Sequence, residues 1–183
     1  MLNRCVEIRA ESAYGCSMSP DLIQLLITCA SIGLLLWAAV HDLRTYEIPD
    51  WISIALAALG LVALFARGAA WGEIGLVVGC AAATFAGLAV LFFLGWMGGG
   101  DVKLISATMI AVGAGGLLPF AFYMALAGAV LCLALIAARR LTPAKAVAPA
   151  PAWIKALLDR KAGVPYAVAI CAGGIAALAG LGQ

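Results

Sequence analysis

Charge is scarce in this sequence. Lys, Arg, Asp and Glu make up 11% of its 183 residues, against roughly 25% in a soluble domain. Hydrophobic residues reach 66%, well above the roughly 45–50% of soluble chains. An ordinary water-soluble domain is thereby excluded, and the length leaves no room for a separate one beside a membrane bundle. Histidine is scarcer still, with His41 alone. The cysteines, Cys5, Cys16, Cys29, Cys80, Cys132 and Cys171, include no C-x-x-C pair and none lies near His41. That spacing argues against a zinc or redox centre, and we expect neither metal nor cofactor. Four of the six lie in apolar runs, where cysteine acts as a small hydrophobe; Cys5 and Cys16 could bridge only with the N-terminus outside. A secretory signal is also a poor fit. Residues 1–21 are polar and mixed in sign, with Glu7, Glu11 and Asp21, and the apolar stretch that follows exceeds a usual signal core. Met18, just before that stretch, is an alternative start.

What the chain has in abundance is long apolar runs. A helix crossing the hydrocarbon needs about 20 apolar residues, with a range near 17–25. Residues 22–40 and 74–94 meet this, and 52–66 is short but flanked by Trp51 and Arg67 as interfacial anchors. The uncharged run 104–138 would be roughly 50 Å long as one helix, too long for a single crossing. Gly113, Gly115, Gly116 and Pro119 interrupt it, which predicts a tight hairpin of two spans. A last span follows at 164–181. The expected fold is an all-α integral membrane bundle of about six transmembrane helices, in one domain over 22–182 behind a polar segment 1–21.

Basic residues set the direction. Arg44, Lys103, Arg139, Arg140, Lys145, Lys155, Arg160 and Lys161 fall on one side, against Arg4, Arg9 and Arg67 on the other. This predicts cytoplasmic segments at 41–51, 95–103 and 139–163. Within the last, TPAKAVAPAPA reads as an extended linker. WIKALLDRK, with Trp153, Ile154, Leu157 and Leu158 on one face, reads as a short amphipathic helix lying on the membrane surface.

This topology puts two carboxylates at the same depth. Asp42 ends the first span and Asp101 follows the third, after three glycines. Taken singly, Asp42 could cap a helix end and Gly98–Gly100 could be a plain turn. Asp50 and Glu47 read as solvated loop charges, Tyr46 and Trp51 as interface aromatics, His41 as a boundary residue and Asp159 as an exposed helix charge. Lys103 and Arg44 are either positive-side anchors or support for the acids or a substrate. Ile48–Pro49 would end a helix and start the turn into the next span.

Together the two acids can do chemistry. Carboxyl groups held close cannot both ionise easily, so they share a proton. One draws a proton from water while the other donates to a carbonyl oxygen, as in aspartic proteases. Burial near lipid should raise the upper titration of the pair further. A scissile peptide must be met in extended form, and glycine backbone without Cβ atoms lets it approach. We therefore expect irregular backbone over Gly98–Gly100, lining water or protein.

Asp42, Arg44 and the IPDW that follows resemble the first signature of the type IV prepilin peptidases. GGGDVKL resembles their second, the G-x-G-D of intramembrane aspartyl proteases, and GVPYAVAI at 163–170 resembles their C-terminal motif. Asp50 stands where the family often has Asn, and Ala167 where it often has Gly. The resemblance implies catalysis by Asp42 and Asp101, with Gly98, Gly100, Lys103, Arg44 and Pro49 as supporting or substrate-binding residues. It implies a prepilin or pseudopilin substrate whose short basic leader is cut at the cytoplasmic face of the inner membrane, in contact with the lipid bilayer and without nucleic acid. The sequence allows a homo-oligomer without requiring one. The paired C-x-x-C segment of the large bifunctional members is missing. The chain is thus similar to the short subgroup found with tight-adherence (Flp-type) pili, with no methyltransferase activity and no need for S-adenosylmethionine. Two other readings stand beside this one. One is a different intramembrane aspartyl protease, which would place Tyr where His41 stands. The other is a non-enzymatic transporter or assembly scaffold, against which no charge lies mid-span.

Overall fold

The structure, a computed structural model, describes residues 20–142, 151–159 and 163–180. The N-terminal segment, with Cys5, Cys16 and Met18, residues 143–150 of the 142–152 linker reading with Lys145, and Arg160 and Lys161 therefore lie outside the described residues. Among those described, helices follow one another without strands: α1 (Pro20–Thr45), α2 (Asp50–Ala66), α3 (Trp71–Phe93), α4 (Gly99–Leu141), α5 (Ala152–Leu158) and α6 (Ala167–Leu178). Three are long and apolar enough to cross a membrane, over Asp21–Thr45, Trp71–Phe93 and Gly99–Leu141; α2 and α6 are shorter apolar helices. Large side chains face outward, among them Leu118 at 83% exposure and Trp71 at 79%. Such exposure would be costly in water and is the normal outer surface of a helix bundle in lipid. The chain is an all-α membrane protein.

The long apolar run does reverse. Gly113 is the one residue inside α4 with non-helical dihedrals, at φ 68° and ψ −177°, a combination open in practice only to glycine. Contacts with α6 show the direction of each half. Tyr166 packs on Gly128, Gly173 on Met124 and Ala177 beside Gly116, so the second half runs against α6. Gly174 meets Thr108, and Ala177 and Leu178 share a cavity wall with Ala111 and Val112, so the first half runs with it. Gly115, Gly116 and Pro119, predicted to help break the run, lie within the helical second half.

Association is through close backbone approach at small residues, the usual device where lipid removes the hydrophobic drive between helices. A Cβ on Gly60 would lie 2.6 Å from the Ala111 backbone, and one on Gly173 2.7 Å from Met124 N. Around these contacts Leu35 and Ala38 of α1, Ile52 and Leu56 of α2, Leu104 and Phe120 of α4 and Ile170 of α6 form the buried core. The amphipathic helix predicted near Trp153 is α5, which touches α1 and α4. Its Ile154, Leu157 and Leu158 are half-buried and its Trp153 and Lys155 exposed.

Candidate active site

Asp42 sits in the last turn of α1, which is the wrong end for an acid, since the C-terminus of a helix carries partial negative charge. The compensation comes from another helix. Asp42 Oδ2 accepts a hydrogen bond of 3.2 Å from the backbone N–H of Ala167, the first residue of α6, and the partial positive charge of that N-terminus favours the carboxylate. The side chain is buried, at 5% exposure.

Beyond Asp42, α1 is closed by its own side chains. The Thr45 hydroxyl donates to the carbonyl of His41 at 2.9 Å, and His41 Nδ1 donates to the carbonyl of Glu47 at 2.7 Å. These contacts tie the last turn of α1 to the segment that follows it, and the Asp42 carbonyl accepts the Tyr46 N–H at 2.9 Å. Tyr46 follows at φ 56°, the left-handed position that ends many helices and normally holds glycine. A side chain there costs about 1–2 kcal/mol, and Tyr46 and Glu47 are turned by it into the wall of a pocket.

Asp101 is positioned locally. It is the third residue of α4, behind Gly98 as N-cap (φ −73°, ψ 140°), and its carboxylate turns back toward the Gly98 backbone N–H. This is the acidic half of a capping box. Contrary to the expectation of irregular glycine backbone, Gly99 and Gly100 form the first helical turn, and only Gly98 is extended. Their small size serves close packing. A Cβ on Gly100 would stand 3.0 Å from Ile48 Cβ, and one on Gly99 3.1 Å from the Phe92 ring.

These two ends meet. Asp42, Tyr46, Glu47, Ile48, Gly98, Gly99, Gly100 and Asp101 line one pocket of about 340 Å³, and Asp101 lies within electrostatic reach of Asp42. Of the supporting residues expected from sequence, Gly98 and Gly100 are in this wall. Pro49 is outside it as N-cap of α2, and Arg44 is exposed and outside it. Lys103 is turned away from the acids. Its Nζ reaches both carboxylate oxygens of Asp50 at 2.8 Å. Asp50 is solvent-exposed as the sequence suggests, but it is paired and opens α2 instead of lying in a loop.

Sequence reasoning missed Tyr46, which it reads as an interface aromatic. Its hydroxyl is buried beside the Arg139 guanidinium without a well-formed hydrogen bond to it. Burial pushes this phenol above the usual tyrosine range, with Arg139 pulling the other way, so it is a neutral hydroxyl at physiological pH. The available signal was the absence of glycine between α1 and the IPDW stretch. Arg139 was also missed as a structural residue. It donates to the carbonyls of Leu157 and Gly163, at 3.0 and 2.9 Å, fixing the approach to α6 and thus to Asp42.

Two acids from separate helices, facing one polar hollow at one end of a membrane bundle, suit hydrolysis at a lipid boundary. No curated protein and no solved structure matches the chain significantly. The model of the type IV leader peptidase family matches residues 29–133, which is more than half of the 183 and includes both aspartates. By that match the chain belongs to the type IV leader peptidase family.

Proposed function

We propose that this peptidase is of the aspartic type and removes the short basic leader of Flp-type prepilins at the cytoplasmic face of the inner membrane. The observation that carries this reading is the single pocket shared by Asp42 and Asp101. Two carboxyl groups that feel each other's charge hold one proton between them. The ionised member takes a proton from water, and the resulting hydroxide attacks the scissile carbonyl carbon. The protonated member donates to the carbonyl oxygen; on collapse of the tetrahedral intermediate the proton taken from water passes to the leaving amine, and the donor acid recovers its proton from the hydroxyl that becomes the new carbonyl. The titration belongs to the pair and not to either member.

The charge bias supports this orientation. Arg139 and Lys103 lie at the same end of the bundle as both acids, and Arg67 lies at the other, beside Gly113. Basic residues favour the cytoplasmic side, where a leader awaiting removal also lies. Asp42, Asp101, Gly98 and Gly100 form the site in this reading. Lys103, Arg44 and Pro49 contribute outside the pocket. The reaction draws on no cofactor, and methylation of the new N-terminus is not part of it.

The test is coexpression with a pilin precursor carrying a basic leader and a following apolar helix. The wild-type protein shortens the precursor, whereas Asp42→Asn and Asp101→Asn do not. Cleavage at the wild-type rate by either variant would overturn the dyad.

A further inference from the structure

The pocket has two walls that belong to different parts of the chain. One is the segment after α1, contributing Tyr46, Glu47 and Ile48; the other is the start of α4, contributing Gly98 through Asp101. No covalent turn joins them, so something must set their separation. Two contacts cross between them immediately beside the pocket. Ile48 packs on Gly100, where even a methyl group would crowd it at 3.0 Å. Two residues beyond Ile48 and three beyond Gly100, Lys103 Nζ holds both oxygens of Asp50 at 2.8 Å. The pair lines one end of a groove of about 520 Å³ whose other lining side chains are apolar or hydroxyl groups of α2, α3 and α4, including Ser53, Ile54, Phe85 and Ser106. Neither Asp42 nor Asp101 lines that groove, so Lys103 spends its charge on Asp50 and not on the acids.

We infer that the Asp50–Lys103 pair is a clasp that sets the spacing of the two pocket walls, making both residues positioning residues for cleavage. The inference rests on the peptidase reading for its rate effect, and on geometry alone for its structural effect. The two side chains are 64% and 45% exposed, and a pair so open to solvent adds little to global stability. Alignment is a different matter, because small displacements of reacting groups lower a rate without unfolding anything.

The test uses the full-length protein in lipid vesicles and has two readouts. Amide hydrogen exchange needs no substrate. Asp50→Asn and Lys103→Met should each speed exchange at 46–50 and 98–103 together. The swapped protein, Asp50→Lys with Lys103→Asp, should restore protection at both. In precursor cleavage each single variant should lower kcat about tenfold with KM within about twofold, since misalignment spares ground-state binding. The double variant Asp50→Asn with Lys103→Met should be no worse than either single one, and the swap should recover most of the rate. Unchanged exchange in the single variants overturns the clasp, as do rate losses that multiply in the double variant. An Asp50→Asn enzyme of wild-type rate beside a crippled Lys103→Met enzyme also overturns it, because Lys103 would then act on the substrate. A wild-type protein that leaves the precursor uncut fails the peptidase reading instead, and the exchange result still decides the clasp.

Discussion

The two aspartates share a pocket but are held in different ways. Asp101 is oriented within four residues of sequence by the glycine-led start of its own helix. Asp42 stands at the unfavourable end of its helix and is oriented by an amide more than a hundred positions away, at Ala167. The first arrangement forms whenever α4 forms. The second needs α1, α6 and the connection that Arg139 pins through Leu157 and Gly163. A site built half from local and half from remote contacts should therefore fail unevenly when its supports are removed.

The largest effect ignores the difference. Asn at either acid removes one partner of the shared proton while keeping shape, and cleavage should fall by about a thousandfold or more in both variants, as for other units that act together. Quantifying precursor processing by gel mobility checks this. The pH profile of the wild type sharpens it. Below the optimum both acids are protonated and no base remains; above it both are ionised and no donor remains. The rate should fall on both sides, and a profile that only rises with pH would exclude the shared proton.

Next in size is the break on the remote side. Arg139→Met removes the donors to Leu157 and Gly163, and we expect kcat to drop roughly thirtyfold, within the range that misplacement of reacting groups produces. Exchange at residues 163–170 should rise while that at 98–103 stays constant. A smaller effect probes the local side. Gly100→Ala pushes a methyl against Ile48, which should cost about 1–3 kcal/mol as overpacking and lower the rate about tenfold. Thermal unfolding in detergent and initial rates would read both.

The smallest concerns Tyr46. Its buried hydroxyl lacks a well-formed partner, and such a group carries a desolvation penalty of about 1–3 kcal/mol. Tyr46→Phe should therefore leave the rate within about twofold and raise stability by about 1 kcal/mol. A loss of stability would mean that the hydroxyl bonds to Arg139 after all.

Much of this was open to inspection in the sequence. Apolar run length marked the membrane bundle, and the cluster Gly113, Gly115, Gly116 and Pro119 marked the reversal, because a 35-residue apolar run cannot cross once; which of the four makes the turn emerged only from the backbone at Gly113. The two acids stood out because basic residues placed both at one side. The partners of those acids were hidden. Nothing in a local pattern ties residue 42 to residue 167, or 50 to 103, since such pairings arise only when helices pack. The glycine run misled for a related reason. Flexible backbone is the usual meaning of three glycines, whereas here two of them are helical and are small because Ile48 and Phe92 press on them.

The amide at residue 167 also has a bearing on biosynthesis. Translation delivers α1 and α4, with both acids, well before α6 emerges to close over Asp42. Under the proposed dyad, a chain that stops before α6 lacks the amide that holds Asp42, and such a fragment should sit in the membrane without cleaving.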